Sequence, residues 1–467
     1  MLLTLELALA GLIVVVLGIG LLTGPERRRE VGTVVAAGLL GLLVLSFVFD
    51  GRGVLFDGTF VVDGLAILFK RVFLLATLLG VVGGLALPGP ALTPRALEYH
   101  LLVLASLLGM FVLASAREAV LLFVAFELMS VPLYVLAGFA KSDARAVEAA
   151  LKFFLVGSLS TAVFAYGLSF VYGATGTTRL GEIARVGAAE PLVLLGLLLI
   201  LAGIGFKIAA FPFHMWVPDT YEAASTPFVA WLSVAPKAAG FAAIFRIFVE
   251  GAAGGGAAWV PLAAALGGVT IVAGNLLALP QTDAKRLLAY SGVAHIGYML
   301  VGVAAMNPFG VAMVLFYLVA YVFSNMGAFL VVEVVGHAEG TTAIRGFRGL
   351  AQRSPALALA MLLFLLSLGG IPFVVGFWAK LYVFWAAAQA GLYGLVLLGA
   401  ILTVVALFYY LVVARAMYIE PPRTATPVPV PPALVLVIFV SAAAVLLLGL
   451  YPRPLVDAAL RAAAPLF

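Results

Sequence analysis

The stretch GFKIAAFPFHMWVPDTYEAASTPFVAWLSVAPKAAG, residues 205–240, decides how the rest of the chain is read. It sets Lys207 and Lys237 in apolar sequence and separates them by a Pro-punctuated segment: Phe211-Pro212-Phe213, Val217-Pro218-Asp219 and Thr226-Pro227. A lysine in hydrocarbon costs about 2.5–3.5 kcal/mol on insertion scales, so it persists there for a reason. A helix broken at membrane depth is tolerated only where protein or a watery cavity satisfies the freed backbone groups. Charges beside a broken helix point to an ion or proton path.

Working outward, 65% of the 467 residues are hydrophobic, 10% are charged, and the mean hydropathy is +1.22. Soluble domains carry about 25% charged residues, so the chain is a polytopic membrane protein with the lipid bilayer as its solvent. It has no cysteine, which excludes disulfides, thiolate metal sites and cysteine-ligated Fe–S clusters. The four histidines, His100, His214, His295 and His337, lack zinc-type spacing. Glycine runs such as 251–256 lack the lysine and strand context of a phosphate loop. A net charge of +5, spread over short loops, gives no argument for nucleic acid. The 50 glycines fit close helix packing in lipid. The N-terminal MLLTLELALAGLIVVVLGIGLL has no basic leader and no clear cleavage site, so it reads as a retained first span.

Apolar runs between polar or Gly/Pro turns predict an all-α fold of about fourteen transmembrane helices. Two runs, 191–224 and 355–388, are too long for one straight crossing: each would make a helix of about 50 Å against roughly 30 Å of hydrocarbon. Both carry a Pro-Phe step, Pro212-Phe213 and Pro372-Phe373, with Lys207 or Lys380 close by. Paired interrupted helices in corresponding positions are the sequence sign of internal repeats around an ion site. The expected organisation is three N-terminal helices (1–96, the third over 60–87), a five-helix repeat over 97–250 broken near Pro212, a second over 258–418 broken near Pro372, and a C-terminal loop and last helix (419–467). An odd number of spans per repeat inverts the second relative to the first. Residues 227–250 are read as one continuous helix.

Basic residues in loops set orientation. Thirteen of the 26 fall on one side, among them Arg27, Arg28, Arg29, Lys285, Arg286 and Arg423. Seven, all arginine, fall on the other. The bias places both termini on the outer side of the cell inner (plasma) membrane. Six lie inside expected spans: Lys70, Arg71, Lys152, Lys207, Lys237 and Lys380. A buried lysine can hold or release a proton near neutral pH, whereas arginine stays protonated, so relay positions favour lysine.

Glu127 lies inside VLLFVAFELMSVPLYVL, five residues before Pro132, which loosens that turn. Its bland alternative is a neutral carboxyl bonded between helices. For Lys207 and Lys237 the alternative is helix docking, and for Lys380 it is snorkelling. Lys152 with Glu148, four residues apart, makes either a local helix pair or a relay step. His295, on the apolar helix YSGVAHIGYML, is either a packing residue or a titratable link between lysines. Lys70 and Arg71 read as snorkelling or as touching a partner subunit, and Asp219 and Glu222 as capping or neutralising the short helix after the break.

With these residues in view, the chain resembles the antiporter-like membrane subunits of respiratory complex I, and among them the N-type. FKIAAFPFHMWVPDTYEAASTPFVAWLSVAPKAAGF carries the resemblance, supported by FELMSVPLYVLAGF, EAALKFFLVGSLSTAVFAYGLSFVYGATGT, RLLAYSGVAHIGYMLVG and LLSLGGIPFVVGFWAKLYVF, which together span most of residues 97–418. The resemblance implies a glutamate on the fifth helix, lysines on the seventh and eighth and a lysine on the twelfth, here Glu127, Lys207, Lys237 and Lys380. Lys380 departs from the M-type, which has glutamate there. The end at Phe467, without a long lateral helix, departs from the L-type. Ala223-Ala224-Ser225 stands where the family commonly has Gly and Pro.

What the resemblance implies is a proton-translocating subunit of an NADH:quinone oxidoreductase, with Glu127, Lys207, Lys237 and Lys380 as the relay and His295 and Lys152 as further candidates. No cofactor is expected in this chain; NAD, FMN, Fe–S clusters and quinone would belong to partner subunits, and its partners would be the other membrane subunits. The alternatives are a subunit of a multisubunit sodium/proton antiporter and a scaffold that moves no ions.

Overall fold

The computed structural model describes residues 2–22, 28–86, 93–186, 190–252, 256–422 and 424–467. Arg27 and Arg423 of the loop count lie outside the described residues, as do 253–255 of the glycine run and the expected span end at 87. The chain folds into two compact units: Met1–Ile208 with Ala235–Leu262 and Arg461–Phe467, and Ala209–Val234 with Ala263–Leu460. It passes from the first unit to the second immediately after Ile208 and returns at Ala235. Both passages fall in the broken stretch between the two lysines.

The first unit holds α1 (Thr4–Leu22), α2 (Arg28–Val48), β1 (Gly53–Leu55), β2 (Phe60–Val62), α3 (Gly64–Ala86), α4 (Ala96–Ser115), α5 (Ala119–Ala137), α6 (Ala144–Thr175), α7 (Leu180–Val186) and α8 (Pro191–Ile208). Next come α9 (Trp216–Ala223) and α10 (Thr226–Leu232) of the second unit, and then α11 (Ala235–Ile244) back in the first, which continues as a π turn over Phe245–Glu250. After α12 (Gly256–Ala278), the second unit contains α13 (Ala284–Ala304), α14 (Pro308–Glu339), α15 (Leu350–Arg353), α16 (Pro355–Gly369), α17 (Val375–Gln389), α18 (Tyr393–Tyr418), α19 (Pro432–Leu450) and most of α20 (Arg453–Ala463).

Acidic and amide side chains start several of these helices by taking otherwise orphaned N–H groups. Glu118 accepts from Val120 and Leu121 at 3.0 and 2.7 Å to open α5. Asp283 accepts from Lys285 and Arg286 at 2.8 and 3.1 Å to open α13, and Asn307 accepts from Gly310 at 2.6 Å to open α14. Among the described residues, thirteen helical stretches are long and apolar enough to cross a membrane. α16 and α17, at 15 residues each, are too short singly, about 22 Å. Joined across their break they make a fourteenth crossing, as the length argument expects.

Glycine does what the lipid argument assigns to it. Gly167 on α6 and Gly196 on α8 face each other, and a Cβ on either would stand 2.6 or 2.7 Å from the other's carbonyl oxygen. That approach leaves no space for any side chain.

The structure corrects several expectations. Residues 60–62 are a strand paired with 53–55 in a small hairpin, not the start of a helix. Residues 227–250 are not one helix: α10 ends at Leu232, α11 starts at Ala235, and the last turn is π. Pro236 lacks the N–H that would bond the Leu232 carbonyl, which explains the interruption. Lys70 neither snorkels nor reaches outward; it is buried and forms an ion pair with Glu6 of α1. Arg71 donates to the Ser46 carbonyl at 2.6 Å and lies 4.2 Å over the Phe47 ring. Both cations thus have partners inside the chain, although Arg71 Nε is buried without a hydrogen bond among the described residues.

Candidate functional site

Lys207 stands in the last turn of α8, one residue before its end. The helix stops where Ala209 takes φ +65°, outside the helical region. A cation in a last turn faces the negative end of the helix dipole. Its Nζ donates to the Tyr134 hydroxyl at 2.6 Å and sits 4.9–5.3 Å from the ring centres of Tyr134, Phe126 and Phe206. Aromatic faces at that range stabilise a cation that has lost its water. Tyr134 lies seven residues after Glu127 on α5, two turns along one face. Glu127 accepts from Thr161 of α6 at 2.7 Å and lies within electrostatic reach of both Lys207 and Tyr134. A Cβ at Gly157 would collide with the Tyr134 phenol, so glycine there makes room for it. The first unit thus brings Glu127, Tyr134 and Lys207 near one another, with Lys207 bonded to Tyr134 and Glu127 to Thr161. Lys237 is in the same unit on α11, 1% exposed, in a helix whose every residue is buried. Gly240 makes this possible, because a Cβ there would strike Ile208 at the end of α8.

Lys152 does not join them. It pairs with Glu148 at 2.8 Å on a face of α6 that leaves both side chains about half exposed.

In the second unit, Lys380 on α17 is 4% exposed and donates to the Gly369 carbonyl at 3.3 Å, the free C-terminal end of α16. Its Nζ lies 4.8 Å from the centre of the Tyr298 ring. His295 bonds the Tyr317 hydroxyl through Nδ1 at 2.8 Å and the Tyr410 hydroxyl through Nε2 at 3.2 Å. In a neutral imidazole one nitrogen donates and the other accepts, so the ring passes hydrogen-bond polarity between the two phenols. Tyr410 also bonds Ser291 at 2.5 Å, Tyr409 donates to Asn275 at 3.1 Å, and Asn275 donates to Tyr298 at 3.3 Å. A buried lattice of phenols therefore surrounds His295 and extends to the ring beneath Lys380. Sequence reasoning missed Tyr134, Thr161, Asn275, Tyr298, Tyr317, Tyr409 and Tyr410. The available signal was spacing: Glu127 to Tyr134 is two turns, and Tyr298 follows His295 by three residues.

The short helix after the first break is held from α13. Lys285, a loop cation in the orientation count, is 4% exposed and donates to the Glu222 and Ala224 carbonyls at 2.9 and 2.7 Å. Arg286 binds Asp219 and Glu222 at 3.0 and 2.9 Å, so both acids pair with a cation of α13. Ala224 is extended, with φ −73° and ψ 162°, so the Ala223-Ala224-Ser225 turn needs no glycine.

Gly370 tests the second break. It has φ +81°, and a Cβ there would stand 2.9 Å from Cδ of Lys380. Gly370→Ala is expected to cost about 1–2 kcal/mol of backbone strain and to displace the ammonium from Gly369. Gly391 supplies the control, with φ +76° and nothing within 4 Å of a new Cβ. Gly391→Ala should lower thermal stability alone, whereas Gly370→Ala should also lower proton pumping. Equal pumping by the two variants would refute the role given to that contact.

Residues 116–406, which contain Glu127, Lys207, Lys237, His295 and Lys380, match the family model described as NADH:quinone oxidoreductase/Mrp antiporter, TM. The chain is 43% identical over 471 residues to NADH-quinone oxidoreductase subunit N of Moorella thermoacetica, covering all of this chain and 98% of that one. The chain belongs to the subunit N family of NADH-quinone oxidoreductases. It is a multi-pass membrane subunit of that complex. The fold resembles a chain of respiratory complex I from Thermus thermophilus with bound aureothin, at 36% identity and TM-score 0.84, covering 97% of this chain and 99% of that one. It resembles equally well, at TM-score 0.86 but 25% identity, a chain of the Mrp complex from Dietzia sp., covering 99% and 98%. Backbone shape is thus shared across the wider family, and sequence separates subunit N from its antiporter relatives. Among the described residues no group of three or more His, Asp or Glu is placed to hold a metal ion.

Proposed function

We propose that this subunit N carries protons across the membrane through Glu127, Lys207, Lys237, His295 and Lys380, driven by quinone reduction elsewhere in the complex. NAD, FMN, Fe–S clusters and quinone are assigned to partner subunits. The observation that carries the reading is the Glu127–Tyr134–Lys207 site, in which a buried ammonium shares its surroundings with a carboxylate held by one threonine bond. An ionised Glu127 nearby stabilises the protonated form of Lys207; moving the two apart destabilises it, and the proton leaves. Loading is from the inner side through a hydrated half-channel. The proton then passes Lys237 and the His295–tyrosine lattice to Lys380 and is released outside. The same proposal includes two inverted five-helix repeats, 97–250 and 258–418, each broken beside a lysine, and both termini on the outer side of the plasma membrane. Lys152, half exposed beside Glu148, has no place on this route.

The test is proton pumping in sealed vesicles carrying the complex with Lys207→Ala, with subunit composition measured on the same sample. Pumping is expected to be lost while the complex stays assembled. Normal pumping by an intact complex would leave the buried lysines as helix-docking groups and the chain as a scaffold.

A further inference from the structure

The relay residues leave a basic groove of the second unit untouched, at the end of α18. It is an open cavity of about 590 Å³, and its walls include Thr282, Ile344, Arg345, Arg348, Val412 and Glu420. Three elements build it: the turn that leads into α13, the 3₁₀ turn Ile344–Phe347, and the last turns of α18. Backbone bonds hold these walls together. The Ile344 N–H donates to the Thr282 carbonyl at 2.9 Å, Ala284 to Thr342 at 2.9 Å, and Gly349 to Ala416 at 3.0 Å. The acid nearest the first wall is already occupied: Asp283 accepts the Lys285 and Arg286 N–H groups through one oxygen and the Thr342 hydroxyl, at 2.5 Å, through the other. Its charge serves the start of α13 and not the groove.

The cations outnumber their partners. Arg348 pairs with Glu420 at 2.5 Å. Arg345, beside it, and Arg415, in the last turn of α18, are both exposed, and among the described residues neither forms an ion pair or a side-chain hydrogen bond. All three arginines belong to the basic-rich loop side of the orientation count. From Arg415 back along α18, Val412, Leu411, Phe408 and Val404 are exposed and recur at helical spacing, so they form one apolar stripe with the guanidinium at its end. Val404 to Arg415 spans about 16 Å at 1.5 Å per residue. That is close to one leaflet, half of the roughly 30 Å of hydrocarbon. A stripe that is apolar for one leaflet and cationic at its end matches the two parts of a phospholipid, acyl chain and phosphate. Guanidinium pairs with phosphate oxygens through two parallel hydrogen bonds, and basic pockets at the membrane surface favour anionic headgroups.

We propose that this groove seats an anionic phospholipid, with its phosphate between Arg345 and Arg415 and an acyl chain along Val412, Phe408 and Val404. Charge complementarity selects the occupant: two uncompensated cations attract a net negative headgroup and give a zwitterionic one no comparable gain. The groove's bonded walls hold Arg345 in place before the lipid arrives, which lowers the cost of binding. The proposal does not depend on the relay and stands or falls separately from it.

The experiment uses the purified, lipid-depleted complex in detergent and phosphatidylglycerol carrying a photoreactive group on one acyl chain. After illumination, labelled peptides of this subunit are mapped and quantified. Wild type is expected to carry label on α18 between Val404 and Val412. Arg345→Gln with Arg415→Gln should lower that label about tenfold, because each basic group near the surface contributes several-fold to anionic-lipid affinity. Lys141→Gln removes an exposed charge from another loop and should label as wild type. Phosphatidylcholine with the same chain should label α18 weakly, and excess inorganic phosphate should not displace phosphatidylglycerol. Both arginines lack partners among the described residues, so the double variant should assemble; if it does not, the phosphatidylglycerol-to-phosphatidylcholine ratio on the wild-type complex decides. Equal labelling by the two lipids, or full labelling of the double variant, would overturn the proposal. Displacement by inorganic phosphate would make the groove a site for free anions. An α18 that takes no label in the intact complex would mean that a neighbouring protein covers it. Either result would also overturn the lipid assignment.

Discussion

Lys237→Met is expected to abolish coupled proton pumping while leaving the complex assembled. Methionine nearly matches the length and volume of the lysine stem, so α11 keeps its packing and no cavity opens. Removing an ammonium from a position 1% exposed also removes a desolvation penalty of several kcal/mol. The fold should therefore be at least as stable as before. What is lost is the only group at that position able to carry a proton. Lys237→Arg separates charge from protonation, because guanidinium keeps the positive charge and does not release its proton at any working pH. Both variants should fail to pump, and the arginine variant should also assemble less well because its fork is larger. Dye-monitored acidification of sealed vesicles, with NADH oxidation and subunit composition recorded on the same preparation, gives the answer. An assembled methionine variant that acidifies at the normal rate would remove Lys237 from the path.

The parts of this architecture legible in the sequence are those where cost forces a visible residue. A lysine in an apolar span stands out because hydrocarbon penalises it. For that reason Lys207, Lys237 and Lys380 are legible in the sequence, and all three are buried. The two broken helices are legible because each run exceeds the bilayer and carries a Pro-Phe step. Neutral polar residues give no such signal. Tyr134, Tyr317 and Tyr410 carry side chains that are common in membrane helices as packing or interface residues, and only the folded chain shows that their hydroxyls reach Lys207 and His295. The 53–62 hairpin was hidden for another reason: three-residue strands are too short to display alternation, and Phe60–Val62 runs directly into the apolar α3. Its turn depends on positive φ at Phe56, Asp57 and Gly58, and only the glycine advertises that.

Asp63→Ala is expected to be the most destabilising single change outside the relay, because of what it leaves behind. Arg246, 0% exposed in the π turn that continues α11, directs its guanidinium at three elements. It meets the two oxygens of Asp63 at 2.9 and 2.8 Å, Glu250 at 3.0 Å, and the Ala114 carbonyl at the end of α4 at 3.1 and 2.9 Å. Asp63 in turn accepts the Ala66 N–H at 2.8 Å and so starts α3. Glu250 is shared with Arg117. Removing Asp63 leaves a buried guanidinium with only part of its compensation, a loss of about 3–5 kcal/mol. Replacing both partners, Asp63→Leu with Arg246→Met, should recover most of that, because the buried charge goes with its partner. Acid provides an independent check. Burial pushes the Asp63 carboxyl up, but the Arg246 charge and hydrogen bonds, with the Ala66 N–H, outweigh it and hold the group below the usual carboxylate range. A carboxylate depressed in the folded state contributes stability above its unfolded value of about 3.9 and loses it as pH falls through the folded value. The heat needed to release this subunit from the purified complex should therefore fall in acid for wild type. The double variant should lack that component of the acid dependence. If Asp63→Ala dissociates at the wild-type temperature, Arg246 has other compensation, and the Asp63 pair does not carry the stability given to it.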